Sequence, residues 1–224
     1  MRAGAEVAAE AAGDDAPPVF DAAFRDGLAR LMAWRRDVRR FRPDPLPAGL
    51  LRHLIRLAAL APSVGNSQPW RFVAVDDPGR RAAVIAEFER ANEAARRGYD
   101  EARARAYAAL KLAGLREAPV HLAVFCDEAA SAGHGLGRAT MPETLRYSVV
   151  SAVHALWLLA RAHGIGVGWV SILRPETVAA LLDVPESWHL VAYLCLGHPA
   201  EEHLDPELAR HGWQEREEVA LLTR

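Results

Sequence analysis

The chain is poor in cysteine. Its 224 residues include two, Cys126 and Cys195, and no CxxC spacing occurs. Both lie in apolar, strand-like runs, and a lone disulfide would be unusual in a chain of cytosolic composition. We therefore expect two free thiols that pack as small hydrophobic side chains.

Long hydrophobic runs and an excess of one charge are also missing. No apolar run approaches the roughly 20 residues that a membrane-spanning helix needs. The Ala-rich residues 1–18 lack the basic start and apolar core of a signal peptide. The net charge is −2, whereas nucleic-acid-binding domains usually show a basic excess. The sequence predicts a disordered tail over residues 1–18 and one cytoplasmic domain over residues 19–224, with neither a membrane nor a nucleic-acid partner.

Several common catalytic motifs are absent. The nine histidines form no HExxH, no HxH and no cluster with cysteine at ligand spacing, so no metal site is predicted. The chain has no Walker A sequence and no GxSxG elbow. Residues 164–168 (GIGVG) are not GxGxxG and enter a strand instead of leaving one, which disfavours a Rossmann dinucleotide site.

Hydrophobic periodicity predicts helices and strands in an order that is not a βαβ repeat. Helices are expected over residues 20–34, 50–61 and 175–182, and strands over 70–75, 119–125, 164–172 and 188–196. Because two helices precede the first strand, we expect an α+β layered fold.

Two further helical segments differ in character. Residues 140–143 (TMPE) match a capping box and should open a helix that carries no charged residue between Arg146 and Arg161, so we expect that helix to be buried. Residues 78–116 are charged on most faces. They are typical of an exposed excursion such as a lid.

Three segments are candidates for chemistry. Residues 35–40 (RRDVRR) bring four guanidinium groups together. They are either a solvated charge run or a phosphate clamp. Residues 61–70 (APSVGNSQPW) hold hydroxyls and two amides, Asn66 and Gln68, between prolines, either as a plain connection or as a rigid turn that faces a planar heterocycle. In residues 166–171 (GVGWVS) glycines permit close approach of a ligand, and Ser171 ends the strand.

Together these segments resemble the nitroreductase-like flavoproteins, in which an arginine-rich stretch precedes a PSxxNxQPW turn. RRDVR, APSVGNSQPWRF, YAALKL, GRATMPETLRYS and GVGWVSIL are similar, more specifically, to the BluB family of 5,6-dimethylbenzimidazole synthases. The resemblance covers about residues 21–213. Its most specific point is Asp37, where ordinary nitroreductases usually carry serine.

This resemblance implies an FMN-dependent nitroreductase-like fold, with a mixed or antiparallel central sheet flanked by helices and a helical lid over about residues 90–116. It implies an oxidoreductase that consumes reduced FMN as substrate and O2 as co-substrate. The flavin is fragmented to 5,6-dimethylbenzimidazole, the lower ligand of cobalamin, and erythrose 4-phosphate. It further implies a homodimer with flavin sites at the subunit interface, no metal, and a separate NAD(P)H-dependent flavin reductase that supplies reduced FMN.

The resemblance also places site residues. Flavin contacts carried over by position, together with the two amides of the turn, are Arg35, Arg36, Asp37, Val38, Arg39, Ser63, Asn66, Gln68, Leu112 and Ser171. Asp37 and Ser171 are the predicted catalytic pair, and Arg216 aligns loosely with a basic phosphate contact. The neighbouring arginines are expected to hold the Asp37 carboxylate ionised. Whether it acts as a base or as an orienting group stays open.

Two alternatives remain. One is an NAD(P)H-dependent nitroreductase, or a flavin or cob(II)yrinate reductase, which the charged lid and Asp37 disfavour. The other is a non-catalytic flavin-binding protein, which the presence of both Asp37 and Ser171 disfavours.

Overall fold

The computed structural model describes residues 17–224, so most of the predicted N-terminal tail lies outside the described residues. Within this range the chain forms seven α-helices and four strands. The helices are α1 (Ala22–Trp34), α2 (Leu50–Ala58), α3 (Pro78–Arg97), α4 (Glu101–Ala108), α5 (Thr144–Ala162), α6 (Pro175–Leu182) and α7 (Glu207–Arg210). The strands are β1 (Trp70–Ala74), β2 (Val120–Asp127), β3 (Gly166–Val170) and β4 (Trp188–Gly197).

The four strands form one antiparallel sheet in the order β1-β2-β4-β3. Side chains alternate along the two central strands, so that Leu122 and Val124 face one core while Ala123 and Phe125 face the other. Helices α2 and α5 cover the first face, and α3 and α6 cover the second. The predicted α+β layered fold is confirmed.

The sheet order places β1 and β3 at opposite edges. Trp70 pairs with Cys126, which in turn pairs with His189 at the start of β4, while Val167 pairs with Leu196 near the end of β4. The start of β1 and the middle of β3 are therefore separated by most of the length and most of the width of the sheet. At ordinary strand spacings this is on the order of 20 Å.

Helix α5 differs from its prediction in two ways. It begins at Thr144, with no side-chain cap, because residues 132–140 and 142–143 form turns and the Thr144 amide donates to the Met141 carbonyl. The predicted capping box at residues 140–143 is therefore wrong. Moreover, only one face of the helix is buried, since Tyr147 is 57% and Val150 39% exposed.

Helix α1 is amphipathic as predicted, but no residue in it is buried. Phe24, Leu28 and Met32 lie on its surface, and Phe20 just before it stacks on Phe24. On α5, which contacts α1, the exposed apolar residues are Tyr147 and Val150. We call the apolar surface formed by the two helices the α1/α5 face. Such surfaces on folded chains commonly mark interaction sites.

The charged stretch 78–116 divides into two parts. Val84 and Glu87 of α3 are buried beneath α6, so the expectation of an exposed excursion is wrong for this first part. Glu87 is held there by Arg174, whose Nε donates to Glu87 Oε1 at 3.0 Å. The lid predicted over about residues 90–116 stays a prediction.

The structure also bears on the two thiols, on a membrane-spanning helix and on a metal-binding cluster. Cys126 and Cys195 are free and buried, as predicted, and burial raises the pKa of both thiols, that of Cys126 to about 11. Across residues 17–224 no helix is long and apolar enough to cross a membrane. Over the same residues, His, Cys, Asp and Glu side chains nowhere gather in a group of three or more that could hold a metal ion.

Candidate active site

Residues 35–40, hereafter the arginine loop, lie along the outer edge of β3. The Val38 amide donates to the Val167 carbonyl at 3.0 Å, and Asp37 forms a parallel bridge with Val167. A Cβ on Gly168 would lie 2.1 Å from the Val38 carbonyl oxygen, and one on Gly166 would lie 2.8 Å from the Val38 side chain. The sequence suggested that these glycines allow a ligand to approach closely. In the structure it is Val38 that occupies this space.

Asp37 is the best-held side chain of the loop. Its Oδ1 accepts the Trp169 amide N–H at 2.8 Å and its Oδ2 accepts Arg39 Nε at 2.9 Å, while 31% of the side chain stays exposed. Burial raises the pKa of this carboxyl, and the opposing effects of Arg39, the Trp169 amide and Arg35 do not cancel it. The arginines thus favour the ionised form, as expected, but burial has the larger effect on the pKa. A carboxyl whose pKa is raised by burial is a common feature of catalytic sites.

The arginines of the loop are not equivalent. Arg36 Nε donates to the Leu204 carbonyl at 2.7 Å. Arg40 Nη1 donates to Glu201 at 3.1 Å and to Glu207 at 2.9 Å, and Arg39 is bound to Asp37. Only the Arg35 guanidinium lacks a hydrogen-bond partner among the residues that the structure describes.

Arg35 lies in a cluster of like charge. Burial lowers the pKa of both Arg35 and Arg36, and the nearby Arg216 lowers each further. A cavity of about 160 Å³ is lined by these three side chains together with Asp37, Arg39 and residues 206–208. An anion bound there would relieve the mutual repulsion of the guanidinium groups and accept charge-assisted hydrogen bonds, so the residues present suit a phosphate group.

Trp157 of α5 supports this cluster and was not predicted. Its indole N–H donates to the Arg36 carbonyl at 3.1 Å, and the Arg35 guanidinium lies 4.8 Å from the centre of its ring. In the sequence Trp157 is one apolar residue on a helix more than a hundred positions away. No local pattern distinguishes it from a core residue.

The structure brings one further predicted region to the arginine loop. The carbonyl of Lys111, next to Leu112, accepts Arg39 Nη1 at 2.9 Å. Ser171 follows β3 directly and is exposed, two residues beyond the Trp169 amide that binds Asp37. Within residues 17–224, Ser171 and Asp37 form no hydrogen bond with each other.

The turn that contains Ser63, Asn66 and Gln68 is rigid. Ser63 Oγ accepts the Gln68 amide at 3.1 Å, and Asn66 and Gln68 adopt positive φ angles of 54° and 45°. Such strained backbone in residues other than glycine concentrates at functional sites. A glycine-rich loop supports it from behind, since a Cβ on Gly133 would lie 2.6 Å from the Gly65 carbonyl oxygen.

This turn lies immediately before β1, whereas the arginine loop lies beside β3 at the opposite edge of the sheet. A single chain therefore keeps the two strongest motifs far apart.

Comparison with known proteins identifies the family and the fold. The family model described as "Nitroreductase family" matches residues 32–198. A crystal structure of oxidized iodotyrosine deiodinase bound to FMN and 3-iodo-L-tyrosine has a TM-score of 0.71 at 26% identity, over 88% of this chain and 98% of that one. A nitroreductase-like protein from Streptococcus mutans has a TM-score of 0.59 at 20% identity, over 87% of this chain and 99% of that one. The fold and the family match thus define a nitroreductase-type protein.

Curated relatives narrow the assignment. A 5,6-dimethylbenzimidazole synthase from Rhodospirillum rubrum is 62% identical over 207 residues, which cover 92% of this chain and 98% of the relative. One from Rhodobacter capsulatus is 49% identical, over 88% of this chain and 95% of the relative. The chain therefore belongs to the nitroreductase family and, within it, to the 5,6-dimethylbenzimidazole synthases.

Proposed function

We propose that this protein is a 5,6-dimethylbenzimidazole synthase. It consumes reduced FMN as substrate and O2 as co-substrate, and forms 5,6-dimethylbenzimidazole and erythrose 4-phosphate. Reduced FMN supplies both the electrons and the carbon skeleton, so the protein's contribution is to bind it, orient it and manage protons.

The observation that carries the proposal is the setting of Asp37. Its two oxygens are fixed by the Trp169 amide and by Arg39, and burial raises its pKa. A carboxylate that is held in place and whose pKa is raised by burial is suited to accept and later return a proton. Ser171, beyond the same strand, is the second catalytic candidate and supplies a hydroxyl to an oxygen of the substrate.

The phosphate end of FMN is assigned to Arg35, with Arg36 and Arg216 beside it. This choice follows from the unpaired Arg35 guanidinium and from the depressed pKa of Arg35 and Arg36. Val38 and Leu112 would contact the flavin from the two segments that meet at Arg39. The lid over about residues 90–116 would exclude water from the pocket, which protects a reactive substrate.

The active form is proposed to be a homodimer, in which Ser63, Asn66 and Gln68 of one subunit complete the pocket of the other. Two observations support it: the turn lies at the opposite sheet edge from the arginine loop, and the α1/α5 face exposes aromatic and aliphatic side chains. Reduced FMN would come from a separate NAD(P)H-dependent flavin reductase.

The test is a single-turnover reaction without NAD(P)H. Purified protein is mixed anaerobically with photoreduced FMN, air is admitted, and 5,6-dimethylbenzimidazole is sought by mass spectrometry. Product that scales with protein supports the proposal. Quantitative recovery of oxidised FMN would instead indicate a flavin-binding protein or a reductase, and rapid flavin reduction by added NAD(P)H would favour the reductase.

A further inference from the structure

Arg39 connects two parts of the site that the sequence treats separately. Its Nε donates to Asp37 Oδ2 at 2.9 Å and its Nη1 donates to the carbonyl of Lys111 at 2.9 Å. The side chain is only 11% exposed. One guanidinium therefore binds both the candidate proton acceptor and the Lys111 carbonyl. We call residues 111–114 the lid base because they lie near the C-terminal end of the predicted lid.

The lid base is packed directly on the chain around Arg39. A Cβ on Gly114 would lie 2.4 Å from the ring of Phe41 and 3.1 Å from the Arg39 carbonyl oxygen. The lid base can therefore approach this closely only because residue 114 is glycine. Movement of residues 111–114 would pull on the carbonyl that Arg39 holds, and through Arg39 on Asp37.

Arg39 and Arg35 are thus suited to different tasks. The Arg35 guanidinium has no hydrogen-bond partner within residues 17–224 and lies near Arg216, so its donors are available to a phosphate. Arg39 has its nearest donors committed to Asp37 and Lys111 before any ligand binds. A phosphate bound by Arg39 would have to share this guanidinium with Asp37 and with the Lys111 carbonyl, to which it already donates.

We propose that Arg39 is a positioning residue, which orients Asp37 and couples it to the lid base, and that it does not bind the FMN phosphate. This inference rests on the proposed function in placing Asp37 in the reaction. Its binding and exchange measurements need no product, so they remain informative if the protein makes no benzimidazole.

The test compares Arg39→Gln with the matched variant Arg35→Gln. The first readout is the ratio of FMN to riboflavin affinity, which reports the phosphate contact alone. For Arg35→Gln the ratio should fall about tenfold or more, as expected for a lost charge-assisted hydrogen bond. For Arg39→Gln it should stay within roughly twofold of the wild type, because the guanidinium groups of Arg35, Arg36 and Arg216 remain beside the phosphate.

The second readout is amide hydrogen exchange in α4 and the lid base, with FMN bound. Arg39→Gln should exchange about tenfold faster there than the wild type, because local opening loses a restraint, whereas Arg35→Gln should not. Arg39→Lys serves as the second variant. It retains a charge beside Asp37 but cannot reach both acceptors, so the fast exchange should persist.

The third readout is the pH dependence of product yield at saturating reduced FMN. The charged and titratable groups that face Asp37 are Arg35 and Arg39 of its own loop and Cys195 of β4. Loss of the Arg39 charge should move the acid limb upward by roughly one pH unit or more, and Arg39→Lys should largely restore it. A purely structural role would lower the yield without moving this limb.

Two outcomes would overturn the proposal. If Arg39→Gln lowers the FMN to riboflavin ratio as much as Arg35→Gln, Arg39 binds phosphate. If exchange in the lid base is unchanged in a folded Arg39→Gln protein, Arg39 does not couple the lid base to Asp37. Failure of the wild-type protein to make benzimidazole would refute the proposed function alone.

Discussion

Replacement of Asp37 by asparagine tests the proposed chemistry most directly. The carboxylate accepts one N–H at each oxygen, from Trp169 at 2.8 Å and from Arg39 at 2.9 Å. An asparagine has a single acceptor oxygen, so its amide group must face one of these two donors. The loss of a hydrogen bond to a charged group costs about 1.5–3 kcal/mol. The loop should therefore loosen, but the backbone bridge between residue 37 and Val167 does not depend on the side chain.

The effect of Asp37→Asn on loop packing and its effect on proton transfer can be separated by saturating the protein with reduced FMN. Looser packing of the loop affects flavin binding and is overcome by excess reduced FMN, whereas the loss of a proton acceptor is not. At saturating reduced FMN we expect benzimidazole formation by Asp37→Asn to fall by roughly 10²–10⁴, the usual contribution of a well-placed acid or base. FMN itself should remain bound, since a negative charge beside the arginine cluster has been removed.

The matched control is Asp44→Asn, which makes the same change in an exposed carboxylate that lies 3.6 Å from Arg42 and away from the loop. It should retain wild-type yield. Asp37→Ser should behave as Asp37→Asn does, with reduced FMN oxidised but not fragmented. An Asp37→Asn protein that forms product at a near-normal rate once saturated would remove Asp37 from the chemistry and refute the reasoning.

Three further predictions concern packing, pH and assembly. In Gly168→Ala the new Cβ would lie 2.1 Å from the Val38 carbonyl oxygen, so flavin affinity should fall and the protein should lose about 1–3 kcal/mol of stability; Gly27→Ala, with open space around it, is the control, and equal melting temperatures would contradict the close packing. Burial lowers the pKa of His121 to about 4, so its contribution to the free energy of unfolding is complete above the unfolded pKa and is lost as the pH falls toward the folded one. Urea unfolding should show a loss of about 2 kcal/mol between roughly pH 7.5 and pH 5 that is missing in His121→Asn; the same pH dependence in both proteins would argue against a neutral buried ring. Light scattering should report a dimer, and a monomer that binds FMN tightly would refute the shared pocket.

The sequence predicted well those elements whose signals are local. Helix α6 was placed correctly at Pro175–Leu182 because proline begins it and an apolar stripe continues it. The sheet followed from short β-branched and aromatic runs. The start of α5 was misplaced because Thr140 matches a cap in sequence but lies at the end of a series of turns that begins at residue 132. Its burial was overestimated because a lack of charge does not distinguish a core face from an exposed apolar face.

The candidate site was less accessible to sequence. The arginine loop and its Asp37 were found from composition and resemblance, but the separate partners of each arginine depend on residues 111, 157 and 201–207, which are distant in the chain. The effect of burial on the Asp37 pKa was not part of the sequence-based prediction. Charges can be counted from a sequence, whereas the desolvation that outweighs them arises only when β3 covers the carboxyl.

The pairing of the arginine loop with β3 has a consequence for how new activities can arise on this scaffold. The backbone on either side of residue 37 is fixed by the bridge to Val167 and by the Val38 amide, contacts that any side chain at position 37 leaves intact. The side chain at position 37 can therefore change while the backbone that carries it stays paired with β3. Exchanging this side chain alters the chemistry presented to the ligand while the backbone pairing with β3 persists. An insertion or deletion between Arg35 and Val38 would instead move Val38 away from the two glycines that accommodate it. Diversification here should therefore proceed by substitution at residue 37, and a designer seeking another reaction would vary that residue first and keep the loop length constant.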